Sequence, residues 1–227
     1  MSVTPETHLQ LALDHTEPAA AERLVELLAP TLHRVEVGTP LVLAAGLGMV
    51  ARVRALAGPS ATVVADVKIC DAGEKIARSA VAAGADELTV VAAAIDDVTW
   101  RGVLRAAADR DGGPAAVVLD TVGPALDLPA LAGFLATAKE NGIPVQLCVH
   151  RPKTCPPGFT ELIEPINAHL PDLASIAVAG RLAPDEAAPA LTAGFTTLIV
   201  GGAVADAVEP ATVWAEFRRE VARVQPS

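Results

Sequence analysis

Aromatic side chains are scarce. They make up 3% of the chain, so a core must be assembled from Ala, Val and Leu, and such residues suit a tightly closed parallel sheet covered on both faces. Cysteine is scarce too, with only Cys70, Cys148 and Cys155. An odd number without C-x-x-C spacing argues against a disulfide framework and for reduced thiols in a cytoplasmic protein. Positive charge is in deficit. A formal net charge of −10 argues against a nucleic-acid partner, which would demand Lys and Arg in quantity. No basic run is present to hold the chain on anionic lipid, so no membrane partner is expected. Residues 1–9 lack a basic segment followed by an apolar one, so no secretory signal is expected. The longest apolar stretch, 41–53, is interrupted by Gly46, Gly48 and Arg52 and is too short and mixed to span a bilayer. No GxGxxG follows the first apolar run, against a dinucleotide site.

What remains is a strongly apolar chain. Hydrophobic residues make up 52% of 227 residues, far from the composition of a disordered chain and close to the size of one α/β barrel. Short runs rich in Val, Ile and Leu occur at 9–13, 35–37, 62–67, 88–92, 116–119, 145–149, 175–179 and 197–200. Helical stretches are expected between them at 19–28, 41–56, 74–83, 97–108, 128–139, 159–168, 185–191 and 211–222. Several open on a first-turn proline (Pro18, Pro184, Pro210) and several close at glycine (Gly58, Gly84, Gly142, Gly194), in keeping with helix start and stop chemistry. Eight alternating units without a linker predict a single (β/α)8 TIM-barrel domain over 1–227 rather than an open doubly wound sheet.

In such a barrel, groups at the C-terminal strand ends converge on one mouth. Asp66 and Lys68 lie two apart and face one side of the third strand. They form either a buried salt bridge or part of an active site, since an ammonium among carboxylates inside a barrel is costly unless it serves a partner or ligand. Glu36 sits in the second apolar strand. It reads as a Mg²⁺ ligand together with Asp66, because Mg²⁺ favours hard oxygen donors, or as a barrel-interior partner of Lys68. Asp120 ends the fifth strand, where it could meet substrate. His150 ends the sixth and reads as a general acid or base, or as a satisfied core residue. A zinc site from His15, His150 and Cys155 has no supporting ligand spacing. Gly180, Gly201 and Gly202 follow the last two strands, where backbone N–H groups often cradle phosphate, or they are ordinary turns. Arg181 could supply the positive charge that the acidic chain otherwise lacks.

These residues resemble the orotidine-monophosphate-decarboxylase suprafamily. Within it the chain is most similar to the 3-hexulose-6-phosphate synthases and 3-keto-L-gulonate-6-phosphate decarboxylases. The resemblance is carried by Leu9-Gln10-Leu11-Ala12-Leu13-Asp14, Glu36-Val37-Gly38-Thr39-Pro40-Leu41, Ala65-Asp66-Val67-Lys68-Ile69-Cys70-Asp71-Ala72-Gly73-Glu74 and Val200-Gly201-Gly202-Ala203. It implies Mg²⁺ held by Glu36 and Asp66, Lys68 stabilising an enediolate with Asp14 beside it, and His150 transferring protons. It also implies a homodimer in which Asp71 reaches into the partner's site, and phosphate held at Gly180, Gly201 and Gly202. Glu36 stands where true orotidine-monophosphate decarboxylase has a lysine. The chain departs from its relatives at Gly180-Arg181, in a longer stretch before His150, and in a proline-rich segment after it. Lys153 falls where the gulonate-phosphate decarboxylases carry a basic residue. The expected function is a Mg²⁺-dependent aldolase adding formaldehyde or another small aldehyde to a pentulose phosphate. The alternatives are a decarboxylase of a 3-keto sugar-acid phosphate, a non-catalytic sugar-phosphate-binding barrel, and a Schiff-base aldolase at Lys68.

Overall fold

The computed structural model describes residues 7–123, 127–152, 154 and 156–224. Eight parallel strands close into one barrel in sequence order. They are β1 (His8–Leu13), β2 (Arg34–Val37), β3 (Thr62–Ile69), β4 (Glu87–Val91), β5 (Ala116–Asp120), β6 (Val145–His150), β7 (Ile176–Ala179) and β8 (Thr197–Val200). The outer ring is α1 (Pro18–Leu28), α2 (Thr39–Ala45), α3 (Gly48–Ala57), α4 (Gly73–Ala82), α5 (Asp97–Ala108), α6 (Leu128–Glu140), α7 (Phe159–His169), α8 (Ala187–Ala193), α9 (Gly202–Ala205) and α10 (Pro210–Val224). The (β/α)8 barrel expected from the strand–helix alternation is therefore the fold.

Two local expectations need correction. The single helix expected at 41–56 is two helices, α2 and α3, bent by 116°. The break falls at Gly46, whose φ of 75° and ψ of 174° end α2; glycine adopts such a backbone at little cost. The chain also inserts the short α9 directly after β8, where the sequence reading had only a turn. Among the described residues no single helix is long and apolar enough to cross a membrane. The bent α2–α3 pair has the length and composition, but α3 buries Met49, Val50 and Val53 in the hydrophobic core.

Strand residues alternate between the two faces of the barrel wall. Most of the large hydrophobics, with Trp100 and Phe217, fill the layer between strands and helices. The interior is different. Its lower layer is polar: Arg34 and Glu87 form a two-pronged ion pair, and Arg34 Nε donates to Gln10 Oε1 at 3.0 Å. Above it stands a thin layer of mainly small side chains, Ala12, Val64, Val118, Cys148, Ala177, Ala179 and Ile199. Barrel interiors are usually filled by bulky branched residues. Here alanines leave a cavity of about 1030 Å³ that runs from the mouth down to Gln10 and Glu36.

Candidate active site

The cavity wall is built mainly from strand ends. Asp14, Glu36, Asp66, Lys68, Asp120 and His150 line it together, although they lie far apart in sequence. Asp66 is fixed from several sides. Thr39 Oγ1 donates to its Oδ2 at 2.7 Å, and Thr89 Oγ1 donates to its Oδ1 at 2.8 Å. Lys68 Nζ donates to Asp66 Oδ1 at 2.9 Å and to Asp120 Oδ2 at 2.7 Å. His150 Nε2 lies 3.1 Å from the Asp120 carboxylate, and Val122 N donates to Asp120 Oδ1 at 2.8 Å. One hydrogen-bonded chain thus runs Asp66–Lys68–Asp120–His150.

Backbone strain holds its centre in place. Lys68 has φ 41°, in the left-handed region, which costs a non-glycine residue free energy and marks functional sites when the surroundings enforce it. Its N–H donates to Thr89 Oγ1 at 2.8 Å, and the β3–β4 register shifts between Ala65 and Ile69. Such irregularities re-aim side chains; here the strained residue turns its ammonium between two carboxylates. Arg181 carries a similar strain, φ 52°, beside Gly180 at φ 109°. A Cβ on Gly180 would come within 3.0 Å of Arg151 O. Gly38 is required for a different reason: a Cβ there would lie 2.2 Å from Asp14 Oδ1, so only glycine lets Asp14 lie over the start of α2.

The electrostatics are those of a surplus of acid. Burial, and then the charge of Asp66, push the Glu36 carboxyl well above the ordinary carboxylate range, with Lys68 only partly opposing them. Burial and then Asp66 also raise Asp14. Burial works against the charge of Lys68, but Asp66 and then Asp120 outweigh it and hold the ammonium above its ordinary range. Asp120 is held below its usual value: burial opposes this, and His150 and then Lys68 overcome it. A Schiff-base lysine must shed its proton to attack a carbonyl, so this environment disfavours that chemistry at Lys68. Burial keeps the Cys148 thiol well above its ordinary range.

The structure sorts the residues singled out in the sequence. Glu36 does not hydrogen-bond Lys68; Gln10 Nε2 donates to it instead. Asp120 is nearly inaccessible at 2% exposure and is committed to Lys68, His150 and Val122, so it belongs to the hydrogen-bonded chain as well as to the cavity wall. Gly180, Arg181, Gly201 and Gly202 line the same wall. Asp71 is exposed just before α4, accepts from Ala72 N at 2.6 Å, and is not among the residues lining this cavity. Lys153 and Cys155 lie outside the described residues, and His15 is not part of the cavity wall. Sequence reading missed Gln10, Thr39 and Thr89, which orient the carboxylates. Gln10 was legible as an amide on an apolar strand, four residues before Asp14 and so on the same face. It also missed Asp206, whose Oδ2 lies 3.0 Å from where a Cβ on Gly202 would be.

Glu36 and Asp66 are hard oxygen donors on neighbouring strands of the cavity wall. They could hold a hard divalent cation such as Mg²⁺, which favours such ligands. Strand-end carboxylates, a lysine and a histidine around one cavity can stabilise an anion formed next to a carbonyl and move its proton.

Comparison with known proteins places this geometry. A 3-hexulose-6-phosphate synthase of Mycobacterium gastri is 32% identical over 215 residues, covering 94% of this chain and 99% of that one. The 3-keto-L-gulonate-6-phosphate decarboxylase SgbH of Escherichia coli (strain K12) is 43% identical over 111 residues, about half of each chain (49%). A crystal structure of 3-hexulose-6-phosphate synthase superposes with a TM-score of 0.77 at 31% identity, covering 94% of this chain and 99% of that one. KGPDC from Streptococcus mutans, in complex with D-R5P, shares the fold with a TM-score of 0.81 at 23% identity, covering 97% of this chain and all (100%) of that one. The model of one family spans nearly the whole barrel, residues 7–217. With all the charged strand ends of the cavity wall inside that match, the chain belongs to the orotidine 5′-phosphate decarboxylase / HUMPS family.

Proposed function

We propose that the chain is a lyase, a Mg²⁺-dependent aldolase similar to 3-hexulose-6-phosphate synthase. It would join a pentulose phosphate to formaldehyde or another small aldehyde through an enediolate. The observation that carries this reading is the Asp66–Lys68–Asp120–His150 chain at the cavity wall. Near full-length similarity to a hexulose-phosphate synthase supports the substrate class.

The residues fit Mg²⁺, because Glu36 and Asp66 offer two hard oxygen ligands and Glu36 carries charge that burial and Asp66 resist. Bound there, the ion would supply Lewis-acid polarisation of the ketose oxygens. The protein's own groups do the rest. Backbone N–H groups around Gly180, Gly201 and Gly202, with Arg181, bind the phosphate and set the depth to which the sugar enters. Lys68, kept charged by Asp66 and Asp120, stabilises the negative charge that develops on the enediolate oxygens. His150 takes the proton from the substrate carbon, and Asp120 stabilises the imidazolium so formed. Asp14 accepts or donates at a sugar hydroxyl. Asp71, exposed and outside the wall of its own cavity, would serve the partner copy in a cytoplasmic homodimer.

The match to SgbH over half the chain favours a second reading. The same site would decarboxylate a 3-keto sugar-acid phosphate, with His150 delivering the proton after CO₂ leaves. Parallel incubations separate the two. With ribulose 5-phosphate and formaldehyde, formaldehyde is expected to disappear, and both a chelator and Asp66→Ala are expected to stop the reaction. CO₂ release from 3-keto-L-gulonate 6-phosphate without formaldehyde consumption would favour the decarboxylase. Full activity in the chelator would remove the metal, and binding without any turnover would leave a sugar-phosphate-binding barrel.

A further inference from the structure

Cys148 takes no part in the reaction proposed above, yet its position is not neutral. Its Sγ, an Asp120 oxygen and a ring nitrogen of His150 all lie within 4.8 Å of one another. All three residues line the cavity. β6 presents Cys148 and His150 on the same face two residues apart, and register pairs Asp120 of β5 with Cys148. The barrel thus brings an oxygen, a sulfur and a nitrogen donor to one spot. Among the described residues, the carboxylates of Asp14, Glu36, Asp66, Asp120, Asp206 and Glu216 line the cavity, with Lys68 and Arg181 the only Lys or Arg on its wall.

We propose that Asp120, Cys148 and His150 form a second cation site, distinct from the Glu36–Asp66 pair, that takes a thiophilic divalent ion such as Zn²⁺ and inhibits the enzyme. Tetrahedral zinc holds sulfur at about 2.3 Å and nitrogen or oxygen at about 2.0–2.2 Å. Its donors therefore sit roughly 3.3–3.8 Å apart, so the three side chains close on the ion by about an ångström through small rotations. The two sites divide cations by ligand softness. Carboxylate pairs suit Mg²⁺, whereas a thiolate with an imidazole selects zinc and its neighbours in the transition series. Binding replaces the S–H bond of Cys148 by a sulfur–metal bond, and the thiol proton leaves to solvent. The ring nitrogen that ligates gives up its proton or uses its free lone pair. The fourth position opens to the cavity and keeps a water. Inhibition follows because His150 and Asp120 are withdrawn from proton transfer and Lys68 loses one of its two carboxylate partners. That consequence rests on the proposed reaction; the binding does not.

The test is a Co²⁺ titration of the whole protein in saturating Mg²⁺, read by absorption. One equivalent of Co²⁺ is expected to give a sulfur-to-cobalt charge-transfer band in the near ultraviolet with tetrahedral ligand-field bands, and Zn²⁺ is expected to bleach both. Cys148→Ala and Asp120→Asn are each expected to lose the charge-transfer band, while Cys70→Ala and Cys155→Ala keep it. Cys148→Ser, which preserves side-chain volume, replaces the alanine variant if that one unfolds. In turnover assays Zn²⁺ is expected to inhibit the native enzyme at least tenfold more strongly than Cys148→Ala. A cobalt spectrum without a sulfur band, or a band that survives in Cys148→Ala and Cys148→Ser, overturns the site. Because the spectrum requires no catalysis, its outcome stands whether or not the aldolase assay succeeds.

Discussion

Lys68→Met is expected to lower turnover by roughly 10²–10³-fold, the usual loss when one group that stabilises a developing anion is removed. The same substitution is expected to cost stability. It deletes the ammonium that lies 2.9 Å from Asp66 and 2.7 Å from Asp120 and leaves two buried carboxylates without their cation. Breaking a buried pair from one side costs about 3 kcal/mol, which for a chain of this size lowers Tm by about 6–12 °C. The pH dependence distinguishes this cause from a packing defect. Lys68 is raised in the folded state, so its contribution is complete below its ordinary 10.5 and is lost as pH rises through its folded value. Asp120 is depressed, so its contribution is complete above its ordinary 3.8 and is lost as pH falls through its folded value. Thermal denaturation of both proteins should therefore show the full deficit at neutral pH and a smaller one as pH falls well below 3.8. A deficit that persists unchanged well below pH 3 would point to lost packing of the lysine stem instead.

Glu36→Gln is expected to do the opposite to stability while abolishing turnover. The carboxyl of Glu36 is raised by burial and by Asp66, so the folded protein holds that proton more tightly than the unfolded chain. Stability then falls as pH rises from the ordinary value of 4.5 through the higher folded value, and stays lower above it. Glutamine carries no charge to resist, and its carbonyl still accepts from Gln10. In metal-free buffer at pH 8 the variant is expected to gain about 1–3 kcal/mol, or roughly 2–4 °C in Tm per kcal/mol. The gain should vanish near pH 4. Saturating Mg²⁺ is expected to raise the Tm of the native chain, by mass action on the folded state, and to leave the variant unmoved. Scanning calorimetry of both proteins with and without Mg²⁺ checks all three statements. A variant less stable than the native chain at pH 8 would show that Glu36 stabilises the fold rather than straining it.

Much of this protein was legible in its sequence because parallel strands buried on both faces leave continuous apolar runs. The run at 197–200 coincides with β8, and the others fall within a residue or two of their strands. The strand-end rule then collected Glu36, Asp66, Lys68 and His150, because a charged residue closing an apolar run has few places to go in a barrel. What stayed hidden depends on neighbours remote in sequence. Whether Glu36 answers to Lys68 or to Gln10 is decided by register between β1 and β2, where Ala12 pairs with Glu36. The role of Asp120 as the link between Lys68 and His150 depends on a strained φ at Lys68, which no periodicity reveals. The break between α2 and α3 was marked by Gly46, but an apolar pattern that continues through it reads as one helix. Cys148 read only as one of three reduced thiols because only the closed barrel sets it beside Asp120 and His150.

The proposed chemistry depends on proton removal from a bound ketose phosphate, and solvent deuterium exchange reads that step alone. Ribulose 5-phosphate is incubated with the protein and Mg²⁺ in D₂O, with no aldehyde present, and the hydroxymethyl carbon beside its carbonyl is followed by NMR. Deuterium is expected at that carbon with the native chain and is expected to be absent with His150→Gln. Exchange that proceeds equally fast in His150→Gln, or a sugar that binds and keeps all its protium, would contradict an enediolate made at this site.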